Sequence, residues 1–306
     1  MSEEILQQLI NWIALGSIYA LLAVGFSLLF GVLGVIHFSH GDISLVAPFV
    51  ALAILQTALA SLSWFGGAAD LVLACLIAIA AVGVLGIAID RFVLRAFRDK
   101  PAMMALVTTV ALGIVIRELI RHLFPQGGNP HAFPTPLAEP AFALGNVVVS
   151  WFTVLDVASA TAVLLVLSIL LRKTGVGVRI RAVSQDREAA RLMGIDANAV
   201  FRNTFFIASA TGALAGLLYA SYVGVTRFDF GILAGLMGFS AAVIGGLGSI
   251  PGAVIGGLLL AGVETFAQAA IENGTAYRQV FAFLLVIAFL VFRPAGLFGR
   301  TVTEKV

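Results

Sequence analysis

The sequence predicts an all-α fold, a polytopic transmembrane helix bundle of about eight or nine spans, and three observations predict it. The first is composition: 60% of the 306 residues are hydrophobic and only 11% are charged, against roughly 25% charged in a soluble domain. The second is that the apolar residues come in runs of about 20, the length a helix needs to cross the hydrocarbon core. The third is that Lys and Arg gather in three clusters separated by even numbers of runs, which puts all three on one side, the cytoplasm.

The N-terminal Met1-Ser2-Glu3-Glu4 is acidic, whereas a cleavable signal starts basic, so the first run (5–30) is expected to be retained. A glycine-containing stretch, 31–42, follows as a surface loop or as a break inside the membrane. Asp42 adjoins the second run, 43–60, and is expected to cap its N-terminus. Runs 71–90 and 102–122 flank the first basic cluster, Arg91, Arg95, Arg98 and Lys100. The segment 124–150 lacks Lys and Arg, carries Pro125, Pro130, Pro134, Pro136 and Pro140, and reads as an ordered external loop. Run 151–171 leads into a loop over about 172–203 that holds the second cluster, Arg172, Lys173, Arg179, Arg181, Arg187, Arg191 and Arg202. Runs 204–225, 232–248, 253–271 and 278–292 follow, the second of them short and glycine-rich, and Arg293, Arg300 and Lys305 close the chain. Nine runs place the N-terminus outside; an intramembrane break at 31–42 would reduce the count to eight and move it inside. With no linker or low-complexity tract, residues 1–306 read as one transmembrane domain.

Composition and motifs exclude several function classes. The chain has no HExxH, no GxSxG and only one cysteine, Cys75, so neither the common hydrolase constellations nor an intrachain disulfide is expected. His37 and His40 are three apart, but two ligands do not make a metal site. No Lys follows a Gly, which a P-loop requires, so any ATPase must be another subunit. The chain is expected to be no enzyme, to need no cofactor and to bind no nucleic acid.

The second basic cluster is the most informative. Beyond Gln185 it reads as a short helix, with Asp186 at the N-cap and Gly194 after the last turn. Ala189, Leu192 and Met193 fall at i, i+3 and i+4 and make one small apolar stripe, while Arg187 and Arg191 share another face. Such a helix can lie on lipid headgroups or dock in a partner's groove. The interspersed Asp186, Glu188 and Asp196 favour docking, and Asp196 can cap the next membrane helix.

Glu188-Ala189-Ala190 followed by Gly194 resembles the core of the EAA loop of ABC importer permeases, which docks in a cleft of the ATPase subunit. Four longer motifs, in order along the chain, resemble the branched-chain amino acid permease family more specifically. They are Gly34-Val-Ile-His-Phe-Ser-His-Gly-Asp42, the run from Arg181 to Asp196, the run Ala241-Ala-Val-Ile-Gly-Gly-Leu-Gly-Ser-Ile-Pro-Gly-Ala-Val-Ile-Gly-Gly257 with Glu264 after it, and Arg293-Pro-Ala-Gly-Leu-Phe-Gly299. Ser39 stands where alanine is common in that family, and the longer EAA pattern of other importers is not matched beyond Gly194. The resemblance implies an all-helical permease of the bacterial inner membrane. Cytoplasmic ABC ATPase subunits, a second related permease chain and an extracytoplasmic substrate-binding protein would be its partners. It assigns ATPase coupling to Asp186, Arg187, Glu188, Ala189, Ala190, Leu192, Met193 and Gly194. Two alternatives stay open: a permease of the same family for urea or short amides, and an ion-coupled secondary transporter using Asp42 and Glu264.

Candidate path residues are His37, Ser39, His40 and Asp42 at the first break, Phe239 and Ser240 before the second, and Glu264 in mid-span. The breaks 31–42 and 245–256 echo each other in the two halves, as broken helices of transporters do. A structural ion pair is the simpler expectation for Glu264, and tight packing the simpler one for Gly252 and Gly256. Arg117, Glu118 and Asp156 lie near the outer ends of their runs and are expected at the interface.

Overall fold

The computed structural model describes residues 2–57, 68–98, 100–134, 140–144, 147–270 and 274–299. Helix α1 (Ser2–Leu33) is followed by a six-residue break, the short α2 (His40–Ser44) and α3 (Val46–Thr57). Then come α4 (Ala68–Phe92), α5 (Ala102–Leu123) and α6 (Trp151–Lys173). The loop after α6 folds into α7 (Gly175–Gln185) and α8 (Arg187–Leu192). Helices α9 (Ala197–Val223), α10 (Phe230–Gly245), α11 (Ile250–Ala270) and α12 (Gly274–Phe292) complete the chain. Among the described residues seven helices are long and apolar enough to cross a membrane, with α2 and α3 taken as one, and two apolar helices are shorter. These nine passages agree with the expected bundle.

Burial sorts the helices. The most apolar stretch of α1 is 89% buried and that of α5 only 17%, so α1 is central and α5 peripheral. Small residues bring the central helices together. A Cβ on Gly257 of α11 would lie 2.5 Å from the Ala20 amide nitrogen of α1. One on Gly256 would lie 2.0 Å from the Ala241 carbonyl of α10, and one on Gly252 2.2 Å from the Gly245 carbonyl. The tight packing expected of Gly252 and Gly256 is therefore what closes α10 on α11. By contrast α4, α5 and α6 keep Leu76, Val84, Val107, Ile114, Leu165 and Ile169 exposed, an apolar outer face suited to lipid.

The two ends of the bundle differ. At one end β1 (His131–Ala132) pairs antiparallel with β4 (Val225–Thr226), and β2 (Pro140–Leu144) pairs with β3 (Val147–Ser150). The proline-rich segment is thus tied to the end of α9, and the Val148 amide donates to the Gln7 side chain of α1 at 3.0 Å. At the other end two basic clusters meet: Arg98 bonds Asp90, donates to Asn198 Oδ1 at 2.8 Å and lies 3.9 Å over the Phe201 ring. The third cluster begins here too. After α12 the segment 293–299 folds back, and its Leu297 and Phe298 amides donate to the Ile244 and Gly245 carbonyls at 2.9 and 3.0 Å. Arg300 and Lys305 lie outside the described residues. The N-terminus is therefore at the end opposite the basic clusters, as nine passages require.

Several boundaries differ from expectation. Helix α9 starts at Ala197, seven residues before 204, because Asp196 accepts from the Asn198 amide at 2.9 Å and caps it there. Helix α7 was not expected, the helix read in this loop being only the part after Gln185. It forms because Ile180 and Val183 bury one face and Gly177 packs on the Leu171 carbonyl, where a Cβ would lie 2.0 Å away.

Candidate functional site

The five residues of α2 are all buried, and helices from every side reach them through glycine. A Cβ on Gly41 itself would lie 2.4 Å from the Gly231 carbonyl oxygen and 2.4 Å from the Gly235 Cα of α10. One on Gly25 of α1 would lie 2.2 Å from His40 Nε2, and one on Gly212 of α9 2.4 Å from Ser44 Oγ. One on Gly113 of α5 would lie 2.3 Å from Asp42 Oδ2, and one on Gly231 2.4 Å from Asp42 Oδ1. Four helices therefore touch α2 at van der Waals range, and α2 sits in the middle of the bundle, not on its surface. The first break is divided: Gly34 at its start is exposed while residues 39–42 are buried in the bundle, and this burial does not bring the eight spans and inside N-terminus that an intramembrane break was expected to give.

Asp42 is not an N-cap. It is the third residue of α2, whose N-cap position is Ser39 without a side-chain bond. Its carboxylate points between α5 and α10, with Arg117 Nη1 3.6 Å from Oδ1. Arg117, expected to snorkel to the interface, turns inward instead because α5 presents Gly113 one turn below and lets the carboxylate approach. His40 is wholly buried with neither ring nitrogen hydrogen-bonded, and its ring meets Phe26 edge-on at 4.9 Å. His37 Nε2 lies 3.3 Å from Ser39 Oγ while Nδ1 has no partner. Phe239 of α10 meets the Phe26 ring edge-on at 6.1 Å and the Phe38 ring at a tilt at 5.5 Å, and Ser240 beside it is buried. Among the described residues no group of three His, Cys, Asp or Glu is placed to hold a metal ion.

Glu264 belongs to a different place. It is enclosed where α1, α11 and α12 meet, accepts from Tyr19 Oη at 2.8 Å and pairs with Arg278 Nε at 3.1 Å, the structural pair expected of it. Asp156, expected at the interface, is fully enclosed, and neither carboxylate oxygen has a hydrogen-bond partner.

At the basic end the short helix forms as its caps dictate. Asp186 Oδ1 accepts from the Glu188 and Ala189 amides, each at 2.9 Å. Gly194 takes φ +80, a left-handed turn that glycine enters without strain, and its amide donates to the Arg191 carbonyl at 2.9 Å. The inward residue is Ala190. The stripe of Ala189, Leu192 and Met193 faces out, Leu192 88% and Met193 82% exposed. Arg187 lies 5.3 Å from the centre of the Phe201 ring, which Arg98 also approaches.

A cavity of about 510 Å³ joins the two regions. Its walls are the end of α1 and the break up to His37, the α4–α5 turn with Arg98 and Lys100, and the 183–187 corner between α7 and α8. The second break lies against the same end: a Cβ on Gly31 would be 3.8 Å from the Gly248 Cα. The two glycine-rich breaks that echo in sequence are thus neighbours in space. Sequence reasoning missed Arg117 and the glycines that enclose α2, because the signal is a set of small residues on four separate helices.

Comparison with known proteins agrees with this architecture. The sequence pattern of the family described as "Branched-chain amino acid transport system / permease component" matches residues 8–290. The high-affinity branched-chain amino acid transport system permease protein BraD of Pseudomonas aeruginosa is 33% identical over 306 residues, 98% of each chain. The corresponding LivH proteins of Salmonella typhimurium and Escherichia coli K12 are 34% identical over 318 residues, 100% of each chain. Among solved structures, PsaBC from Streptococcus pneumoniae in complex with Fab aligns with a TM-score of 0.50 and 16% identity, covering 94% of this chain and 92% of that one, a likeness of fold alone. A bundle closed on glycine, a capped helix at its basic end and a full-length match place this multi-pass membrane protein in the branched-chain amino acid transport system permease family, a transport subunit and not an enzyme.

Proposed function

We propose that this chain is the membrane-spanning subunit of an ABC importer that translocates branched-chain amino acids delivered by a binding protein, driven by ATP hydrolysis in cytoplasmic partner subunits. The observation that carries this reading is the exposed Leu192–Met193 stripe on a helix fixed at both ends beside the cavity that reaches the first break. A helix held this way transmits a push instead of absorbing it. The positive-inside rule puts this end in the cytoplasm, where the ATPases would bind. Movement of α7 and α8 would act on the 34–39 break and so on α2. The bundle would open to one side and then the other about its closely packed glycine contacts. A second, related permease chain would complete the path.

The test is leucine uptake by membranes containing this chain and its partners. Replacing Gly194 by Val strains the left-handed turn and tilts the end of α8. Uptake and recovery of the ATPase subunits with the permease should both fall at least tenfold, with the chain still inserted. Uptake that survives this change and survives ATP depletion would point to an ion-coupled transporter instead.

A further inference from the structure

The Asp42–Arg117 pair is wider, at 3.6 Å, than the Glu264–Arg278 pair, at 3.1 Å. A charge-assisted hydrogen bond closes at about 2.8 Å; Asp42 Oδ1 and Glu264 Oε1 both lack a well-aligned hydrogen bond, but the Glu264 carboxylate also accepts from Tyr19 at 2.8 Å. An unclosed ion pair inside a membrane protein is costly, and such residues mark pathways. The two ions stand on elements that can separate: α5 is the least buried of the long helices and meets the bundle mainly through α2, α3 and the turn before it. On the break that leads into α2, the Phe38 amide donates to Thr109 Oγ1 of α5 at 3.2 Å, and its half-buried ring lies 5.5 Å from that of Phe239. One carboxylate, one guanidinium and an aromatic apolar surface are the complement of an ammonium, a carboxylate and an aliphatic side chain.

We propose that Asp42 and Arg117 bind the zwitterionic head of the transported amino acid within the permease, its α-ammonium on Asp42 and its α-carboxylate on Arg117, with Phe38 and Phe239 receiving the branched side chain. This rests on the importer reading above and adds a substrate site to it. Each charge of the passing zwitterion replaces a protein partner, so neither Asp42 nor Arg117 is left bare while α5 moves away from α2.

A double-neutral variant separates a substrate site from a structural pair. Removing one member of a buried pair leaves an uncompensated charge, whereas removing both does not. The complete importer, with binding protein and ATPases, is reconstituted in liposomes, and leucine uptake is measured for D42N, R117Q and D42N/R117Q. Each single variant should lose at least tenfold, and the double variant should be no better than the worse single while its subunits still co-purify. Recovery of the double variant to within twofold of wild type would overturn the proposal. Binding of radiolabelled leucine to the purified wild-type permease, without binding protein, gives a readout that no variant's folding can spoil. Saturable binding, displaced by leucine more strongly than by 3-methylbutylamine or 4-methylpentanoate, is expected. No saturable binding, or equal displacement by either singly charged analogue, would also overturn it. Absence of uptake by the wild-type importer sinks the importer reading itself, and the binding measurement then still decides the site.

Discussion

Residues 186–194 and residues 40–44 are both short helices of about one to two turns, and they are held by opposite means. The first is specified locally: a carboxylate at one end, a left-handed glycine at the other, and side chains in between that face water. The second has no side-chain cap bond and five buried residues, and it is held by close approaches at seven glycines that lack a Cβ, Gly25, Gly41, Gly113, Gly212, Gly216, Gly231 and Gly235. A segment that must present itself to a partner has to be stable without help from the bundle. A segment at the centre of a moving bundle has to fit surfaces that touch it from all sides, where a single methyl group is felt.

The largest effect expected from this contrast is at Gly41. The atoms that a Cβ would meet at 2.4 Å are backbone, the Gly231 carbonyl and the Gly235 Cα, and cannot swing aside. Overpacking of a core typically costs about 1–3 kcal/mol, occasionally more, and Gly41→Val should fall at or above the top of that range. Thermal unfolding of the purified permease in detergent measures it, with Gly175→Ala, where a Cβ meets nothing within 4 Å, as the reference. If the two variants unfold at the same temperature, the close approach around α2 is not what holds it.

A middle-sized effect sharpens the difference between the two buried ion pairs. Glu264→Gln leaves Arg278 facing an amide, and since the Arg278 side chain is about a third exposed, water recovers part of the loss. About 1–3 kcal/mol is expected, below the full cost of breaking an enclosed pair. A structural role for this pair predicts that combining it with Arg278→Gln returns much of that stability, and also leucine uptake. The same double neutralisation at Asp42 and Arg117 should not restore uptake. Unfolding temperature and uptake measured on both double variants put the two pairs side by side.

What could be read from sequence follows the same division. Caps, a left-handed glycine and a stripe at i, i+3, i+4 are local, so Asp186, Gly194 and the helix between them were legible to within a residue. The apolar runs were legible for the same reason, but their ends were not: α9 starts seven residues early because the Asp196 cap outweighs the polar Asn198, Arg202 and Asn203 that follow it. Asp42 was misread because a carboxylate before an apolar run is usually a cap. Only tertiary structure shows that Gly113 and Gly231 let it sit inside the helix. Arg117 was misread because its distance from the run's end says where it is in depth, not which way it points. Glycines scattered over five helices carry no periodic signal at all, although together they shape the centre of the molecule.

The smallest effect on stability is expected where the effect on function is large. Leu192 and Met193 are more than four-fifths exposed, so Leu192→Ser and Met193→Ser should change unfolding by no more than about 0.5 kcal/mol. If the stripe merely lay on lipid headgroups, the double variant would still bind the ATPases, since the charges of α8 are untouched. If the stripe docks in a groove, the loss of two apolar anchors should release the ATPase subunits during purification and reduce uptake at least tenfold with the permease fully folded. Unfolding temperature, co-purification and uptake on one preparation make the comparison direct. The variant that leaves the bundle intact and stops transport separates a surface made for a partner from one made for the bundle itself.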